Sequence, residues 1–438
     1  MAVGSADRVW HHTPSVAGAA ASAHRAGPGP MSTWAFRLLW CFVVVMPCEE
    51  IITLPLVGSI AHGIGLIASA VGILYILARG RVRPLTRFHV LALLFALWAG
   101  VTSLWSIDPE ATRTRIVTYV QLAVLAWLIW EIAWSPARQR ALLQAYVLGG
   151  CVAAMVTIYN YRSGVNYVPS HMMWMAPVET DAARFAALNQ DPNELGLILA
   201  LGLPMAWYLS LSQPRRRLAW MWRLYLPLAI SAILLTGSRG SAVTMLVALL
   251  IVPATQARLR LRTKAALYAL AVGSLVLAGS FAPPASLERL GSTWGDVAAG
   301  YFGGRGQIWR AGLAVAGEHP LLGVGAGAFE SAVDATLLWE RGAHNVYLAV
   351  LVEDGIVGLC LLLAMGAAAL KPLRQLAPVQ RRFSLVLLLA LGVGSLTLHW
   401  DHRKEFWFVL GVLAAQVVQR PAERGLADRR VAASPRCA

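Results

Sequence analysis

The sequence predicts an all-α polytopic membrane protein, and three observations predict it. Of its 438 residues, 58% are hydrophobic and only 13% charged, a balance suited to a bilayer. Apolar runs of roughly 20 residues, the length a helix needs to cross the hydrocarbon, recur along the chain. Lys and Arg collect in the short segments between alternate runs, as they do in cytoplasmic loops. The net charge of +15 is therefore read as topogenic, not as a nucleic-acid-binding surface. Cys41, Cys48, Cys151, Cys360 and Cys437 are scattered and form no CxxC pair, which indicates neither a disulfide framework nor a metal site.

Taken in order, residues 1–30 are polar and rich in Ala, Gly and Pro. Without an apolar core they read as a disordered leader and not as a cleavable signal peptide, with Met31 as an alternative start. About twelve spans follow, at 35–47, 58–78, 88–105, 115–134, 139–160, 189–211, 219–236, 241–257, 264–281, 344–370, 379–398 and 404–419. The first is short, and merging with the second is the alternative. Together they make one transmembrane domain, 31–420, with both termini inside and a cytoplasmic tail, 421–438. Two outer segments are long, 161–188 and 282–343, the larger lying between the ninth and tenth spans. In the larger one, Ile308, Trp309, Gly312, Leu313 and Ala316 fall on one helical face, behind Gly303-Gly304 and ahead of Pro320. That spacing predicts an amphipathic helix near 305–318 on the outer surface.

Arg239 sits in Gly237-Ser238-Arg239-Gly240-Ser241, inside the almost wholly apolar stretch 226–253. Arg215, Arg216, Arg217 and Arg223 precede that stretch, and Arg258, Arg260, Arg262 and Lys264 follow it. Both flanks belong on the inner side, so the chain crosses twice and turns at the glycines. Arg239 then lies at the outer surface, where a guanidinium offers a planar fork to phosphate oxygens. The alternative is an arginine that snorkels to headgroups or pairs with an acid. The other outward cations are Arg113, Arg115, Arg162, Arg184, Arg289, Arg305, Arg310, Arg341, Arg403 and Lys404.

Arg305 opens the 305–318 helix, where helix-start amides and an arginine together suit an anion, or bind lipid phosphate without specificity. His344-Asn345 stands where the long loop re-enters the membrane. A histidine at such a helix start accepts a proton near neutral pH, although a lone histidine also serves as a structural hydrogen-bonder. Glu353 and Asp354 lie about 14–15 Å further along a regular helix, beyond direct reach of His344. Buried pairing is the rival to function for them. Asn189-Gln190-Asp191-Pro192-Asn193-Glu194 opens the sixth span with Arg184 upstream. Asp191 or Asn193 caps that helix, a role compatible with sugar contacts. Gly323-Val324-Gly325-Ala326-Gly327 has no strand–helix context and no Walker lysine, and reads as a turn.

These motifs, in this order, resemble the O-antigen ligase/polymerase family of bacterial envelope glycan enzymes. The matching pieces are Arg184, Asn189 and Pro192-Asn193, then Ser238-Arg239-Gly240, then Gly304-Arg305 with Trp309. Pro320-Leu321-Leu322-Gly323-Val324-Gly325 and His344-Asn345-Val346-Tyr347-Leu348 with Gly355 complete the set. The leader 1–30 has no counterpart in the pattern. The resemblance implies a GT-C-like glycosyltransferase in the bacterial inner membrane, with its large loop periplasmic. It implies an undecaprenyl-diphosphate-linked glycan donor and no nucleotide sugar, metal or other cofactor.

Within the family, the size and single large outer loop look more like the O-antigen ligase. That enzyme joins the glycan to a sugar hydroxyl of lipid A–core in lipopolysaccharide biosynthesis. The polymerase, protein O-oligosaccharyltransferases and teichuronic-acid-type enzymes remain alternatives. Carried onto this chain, Arg239 and Arg305 grip the leaving diphosphate, with Arg184 as a third. His344 is the general base or positions the hydroxyl, with Asp191 and Glu194 in reserve. Asp191, Asn193 and Asn345 are the candidate glycan contacts. A flippase of anionic lipid-linked glycans is the rival from another class; it would carry broken helices at matching places in two halves. The sequence displays no such pair.

Overall fold

The computed structural model describes residues 29–49, 53–54, 58–165, 184–187, 190–213, 215–255, 291–292, 295, 305–337 and 342–416. Almost all of the leader, the tail 421–438, the ninth span at 264–281, Asn189 and Gly303-Gly304 lie outside the described residues. Helix α1 (Pro30–Val45) is followed by a 3-10 turn and a two-residue antiparallel ladder, in which Thr53 faces Ser59 and Leu54 faces Gly58. Helix α2 (Ile60–Arg79) starts where Ser59 Oγ accepts from His62 N and stops at left-handed Gly80. The first two spans are therefore separate helices.

Helices α3 (Arg87–Thr102), α4 (Pro109–Ile132), α5 (Pro136–Arg162) and α6 (Pro192–Ser212) come next. Asp108-Pro109, Ser135-Pro136 and Asp191-Pro192 start the last three by one device. The first side chain accepts a backbone N–H, and proline fills a position whose N–H has no partner to lose. The apolar window of α6 is 83% buried, against 22% for α2, so α6 is the central post of the bundle.

Around α6 stand α5, then α7 (Arg216–Arg223), α8 (Tyr225–Leu235), α9 (Arg239–Leu249) and the short α10 (Ile251–Thr255). Glycines bring them close. A Cβ on Gly196 would meet Ser241 Cβ at 2.6 Å, and one on Gly202 would meet Tyr225 Cζ at 2.6 Å. The later part holds α11 (Arg305–Glu318), α12 (Phe329–Leu337), α13 (Val346–Ala369), α14 (Pro378–Gly394) and α15 (Lys404–Ala414).

Among the described residues, seven helices are long and apolar enough to cross a membrane, with Arg87–Thr102 and Arg239–Thr255 as shorter apolar ones. A helix stands in each expected span among the described residues; 264–281 lies outside them. Several are short: α9, α14 and α15 have 11, 17 and 11 residues. Length and composition therefore mark seven candidate crossings among the described residues.

Helix α11 has the expected bounds, but its buried face is rotated. Ile308, Ala311, Gly312 and Ala316 face inward, whereas Leu313 is 58% exposed. Ala311 takes the place expected of Leu313 because the stripe is centred on Ile308 and Gly312, against Phe329 and Leu348. Arg310 points outward, as the spacing predicts.

Helix α13 is not the regular helix the sequence suggested. It breaks at Gly355, with φ 67° and ψ −169°. A break inside a bilayer needs other groups to satisfy its backbone. The segment 320–327 supplies them: Val324 N donates to Val352 O and Gly325 N to Glu353 O, both at 2.9 Å, while Ile356 N donates to Pro320 O at 2.9 Å. Trp98 Nε1 donates to Asp354 O at 2.9 Å. An alanine at position 355 would have to enter a backbone region essentially reserved for glycine, and its Cβ would lie 2.7 Å from Leu322 N. Gly355→Ala is expected to destabilise by about 2 kcal/mol or more, read as a fall in melting temperature in detergent. Gly366→Ala, whose Cβ would meet nothing within 4 Å, leaves melting unchanged or raises it; equal melting of both variants would contradict the break.

Candidate functional site

Arg239 is the first residue of α9, and the turn before it fixes its place. Gly237 takes the left-handed conformation at φ 57°. Ser238 Oγ accepts from Ser241 N at 3.4 Å, and Ser241 Oγ donates to Asn193 O at 3.0 Å. Arg184 closes the knot, with Nε donating to Thr236 O at 2.9 Å and Nη2 to Asn193 Oδ1 at 2.8 Å. Asp191 Oδ1 caps α6, accepting from Asn193 N at 2.7 Å and Glu194 N at 3.3 Å. Glu194 pairs with Arg403. Arg239 itself is half-buried and donates to Ser292 Oγ at 2.9 Å.

His344 has φ 48°, and no other non-glycine residue among those described has positive φ. Such a backbone persists only where its surroundings hold it, and such positions gather at functional sites. Both sides of it are held here. Trp309 Nε1 of α11 donates to Ala343 O at 3.0 Å, and Val346 N donates to Ser395 O at 2.8 Å. Asn345 Oδ1 caps α13, accepting from Tyr347 N at 3.0 Å and Leu348 N at 3.1 Å. Arg305, half-buried, stands one helical turn before Trp309.

The two groups meet at the turn 395–403. A Cβ on Gly240 would meet Thr397 Cβ at 2.6 Å, Arg403 holds Glu194, and Ser395 receives Val346 N. Arg184, Asp191, Asn193 and Arg239 thus connect to that turn through Gly240 and Glu194, and His344 and Asn345 connect to it through Val346, with Arg305 attached through Trp309.

A third group joins Arg115 and Glu353, the latter a candidate for buried pairing, to His399 and Asp401, which the sequence reading does not single out. Arg115 Nη1 donates to Glu353 Oε2 at 3.2 Å and to Asp401 Oδ2 at 3.1 Å, and stands 3.4 Å from His399 Nε2. Its side chain is 13% exposed and both carboxylates 0%. Arg115 is therefore a buried, paired cation, because a guanidinium at that depth needs carboxylates beside it. Tyr119 Oη donates to Asp401 Oδ2 at 2.6 Å, and Gly327 N to Glu353 Oε2 at 2.8 Å. His399 Nε2 lies 3.6 Å from Glu353 Oε1 and 3.3 Å from Asp401 Oδ1. The signal available in the sequence is the ionisable run His399-Trp400-Asp401-His402-Arg403-Lys404-Glu405 between two apolar spans. A topological reading counts its cations and passes over His399 and Asp401.

His399, Asp401 and His402 place ligand atoms within 4.8 Å of one another, and these donor types suit a divalent ion. Arg115 already puts a permanent positive charge on Asp401 and beside His399, so a second cation does not fit while Arg115 is in place.

The turn lies outside the spanning helices, and its titration follows from burial and charge. Burial pushes His399 down to about 4, against the upward pull of Asp401. Burial works to raise Asp401, but His399, Arg115 and His402 outweigh it and hold that carboxyl at about 2. Burial also lowers His402. A histidine depressed on folding contributes stability that is complete above its ordinary value of 6.5 and lost as pH falls through about 4. Melting temperature in detergent is therefore expected to drop between pH 6.5 and 4. His399→Asn should flatten that drop, leaving the share due to His402. An unchanged slope in the variant would remove His399 as a source.

Residues 224–363 match the family model described as O-Antigen ligase. The chain is 27% identical over 301 residues to the exopolysaccharide production protein ExoQ of Rhizobium meliloti, covering 61% of this chain and 61% of that protein. It is 25% identical over 359 residues to the O-antigen ligase of Pseudomonas aeruginosa, covering 79% of this chain and 82% of that protein. The matched stretch contains the Arg239 turn, α11, His344 and the break at Gly355. The match over residues 224–363 and the two relatives thus agree with the resemblance to the O-antigen ligase family that the motifs carry.

Proposed function

We propose that this protein is a metal-independent, inverting glycosyltransferase that moves a glycan from undecaprenyl diphosphate to a sugar hydroxyl of lipid A–core. The observation that carries the reading is that the O-antigen ligase match takes in Arg239, Arg305 and His344 together. The reaction is assigned to the periplasmic face of the bacterial inner membrane, with both termini cytoplasmic. The transmembrane domain 31–420 is read as about twelve spans in a GT-C-like arrangement, flanked by 1–30 and 421–438 and carrying the periplasmic loop 282–343.

In the transfer, the acceptor oxygen bonds to the anomeric carbon of the donor glycan. The bond from that carbon to the phosphate oxygen breaks, and its electron pair leaves on undecaprenyl diphosphate. The hydroxyl proton passes to His344. A diphosphate leaving group needs charge neutralisation more than protonation, and Arg239 and Arg305 supply it. Arg184 acts less directly in this scheme, because its hydrogen bonds to Thr236 O and Asn193 Oδ1 hold the Arg239 turn. Asp191, Asn193 and Asn345 contribute glycan contacts from helix starts that the capping bonds of Asp191 and Asn345 maintain.

A second reading, lengthening of the lipid-linked glycan itself, draws support from the likeness to an exopolysaccharide production protein. A flippase reading would need a partner for the helix break at Gly355 in the other half of the chain.

The test uses purified protein, lipid-linked glycan and lipid A–core in EDTA without ATP. Joined product is expected. A lengthened lipid-linked glycan would favour the polymerase, and movement across liposomes without product would sink the enzyme reading. Arg239→Ala and Arg305→Ala should each lower transfer by about 10²–10³-fold, and His344→Ala by about 10²-fold or more, with folding retained. Near-normal transfer by both arginine variants would refute the diphosphate role.

A further inference from the structure

At the end of the bundle away from Arg239 and His344 lies a cavity of about 380 Å³. Its size falls in the range of small-molecule sites, about 300–1,000 Å³. Helices α5, α6, α14 and α15 wall it, with the end of α10. Tyr208, on that wall, is about 25 Å along α6 from Asp191 at 1.5 Å per residue. The cavity is therefore separate from the residues assigned to transfer.

Two observations bear on what it holds. The first is Arg140, half-buried on its wall. Among the described residues Arg140 makes no ion pair and no side-chain hydrogen bond. Other arginines at this end are engaged. Arg138 donates to Ile132 O at 2.8 Å and to Ser32 Oγ at 2.9 Å, and Arg79 pairs with Glu131. Arg223 lies over the rings of Trp207 and Trp220. No carboxylate is among the described residues that line the cavity. A half-buried guanidinium without an acceptor costs stability, so an anion entering there meets a standing need. Gln380, half-buried on the same wall and likewise without a side-chain hydrogen bond among the described residues, adds amide donors.

The second observation is the rest of the wall. Leu143, Leu211, Val412 and the Tyr208–Phe383 pair, whose rings stack at 4.5 Å, make it apolar. A divalent cation would be repelled by Arg140 and find no carboxylate. Inorganic phosphate would suit Arg140 and leave the apolar part without a partner. A phosphate ester that carries a hydrocarbon chain satisfies both.

We infer that this cavity binds the headgroup phosphate of an anionic phospholipid, with an acyl chain against Leu143, Leu211 and Phe383. Its surroundings agree. Arg215, Arg217, Arg374 and Arg381 are exposed at the same end of the bundle, and basic surfaces at a membrane face gather anionic lipid. That face is cytoplasmic in the orientation proposed above, but the binding does not depend on the orientation. A bound headgroup ties α5, α6 and α14 together at the ends remote from the transfer residues, and so stabilises the folded bundle.

Thermal unfolding of the full-length protein, purified and delipidated in an uncharged detergent, tests this. Phosphatidylglycerol should raise the melting temperature by about 2–4 °C. Phosphatidylcholine at the same mole fraction, and inorganic phosphate, should not. Arg140→Gln should abolish the difference between the two lipids. Val379→Trp, which fills the cavity from an exposed position on α14, should do the same. Arg374→Gln, an exposed cation that does not line the cavity, should keep the difference. No shift in the parent, or an equal shift in the parent and folded Arg140→Gln, would overturn the assignment. A shift that Arg374→Gln also removes reports attraction to a charged surface and ends the proposal. A shift with inorganic phosphate as large as the lipid's would make the cavity a soluble-anion site and end it too. If Arg140→Gln does not fold, native mass spectrometry of the parent and Val379→Trp decides: the variant should retain less phosphatidylglycerol, and equal retention overturns the site. No transfer is measured, so failure here and failure of the enzyme reading are distinct results.

Discussion

Arg115 between Glu353 and Asp401 is the interaction on which this end of the bundle depends. A charge buried at that depth is tolerable only with its partners in place, and removing one partner of such a pair costs about 3–5 kcal/mol. The consequence is geometric as much as energetic. Glu353 belongs to α13, Asp401 to the turn before α15, and Arg115 to α4, so one guanidinium fixes three elements that are far apart in sequence. Gly327 N on Glu353 Oε2 adds the 320–327 segment. That segment also fills the break at Gly355 and continues back into α11, whose Trp309 holds the backbone beside His344. The strained φ of His344 is thus sustained by a chain of contacts that ends on the buried pair.

Two chemical environments result. The α6–α9 side carries guanidinium groups held by short backbone-directed bonds: Arg184 on Thr236 O and Asn193, and Arg239 at a helix start. The α4–α13 side carries carboxylates that outnumber their cation. The proposed transfer of a sugar from a diphosphate to a hydroxyl asks for this division, because the leaving group gains negative charge while the nucleophile must give up a proton. Mixing the two sets would let carboxylates repel the diphosphate and arginines neutralise the proton acceptor.

Much of the bundle is legible in the sequence. Apolar runs mark the helices, Asp-Pro and Ser-Pro pairs mark three of their starts, and charge runs bracket the hairpin whose tip is Arg239. The bounds of α11 follow from its glycines and Pro320. What is not legible depends on partners distant in sequence. Gly355 in an apolar run looks like any glycine in a span, and its break has meaning only once 320–327 lies against it. Arg115 near the start of a span looks like loop charge, because nothing local announces Glu353 and Asp401. Leu313 looks like a core residue by spacing, yet the contacts of Gly312 with Phe329 and Leu348 decide the inward face. Nor does sequence spacing announce His399, which comes from another element and stands 3.6 Å from Glu353 Oε1.

The turn 395–403 then acts as a shared bearing between the two environments, held by close glycine contacts as well as by ion pairs. Gly240 of α9 rides on Thr397, and a Cβ on Gly394 would meet Leu197 Cγ of α6 at 3.3 Å. Such close contacts leave little room for adjustment, and the ion pairs Arg403–Glu194 and Arg115–Asp401 tie the same turn to α6 and α4. A reaction that joins two bound sugars gains most from that kind of rigidity, since misplacing the reacting atoms by even about 1 Å can cost on the order of 10²-fold in rate. Glycine at 240 serves this end. It brings the helix of Arg239 into direct contact with the turn that carries His399 and Asp401, so neither set of charges moves without the other.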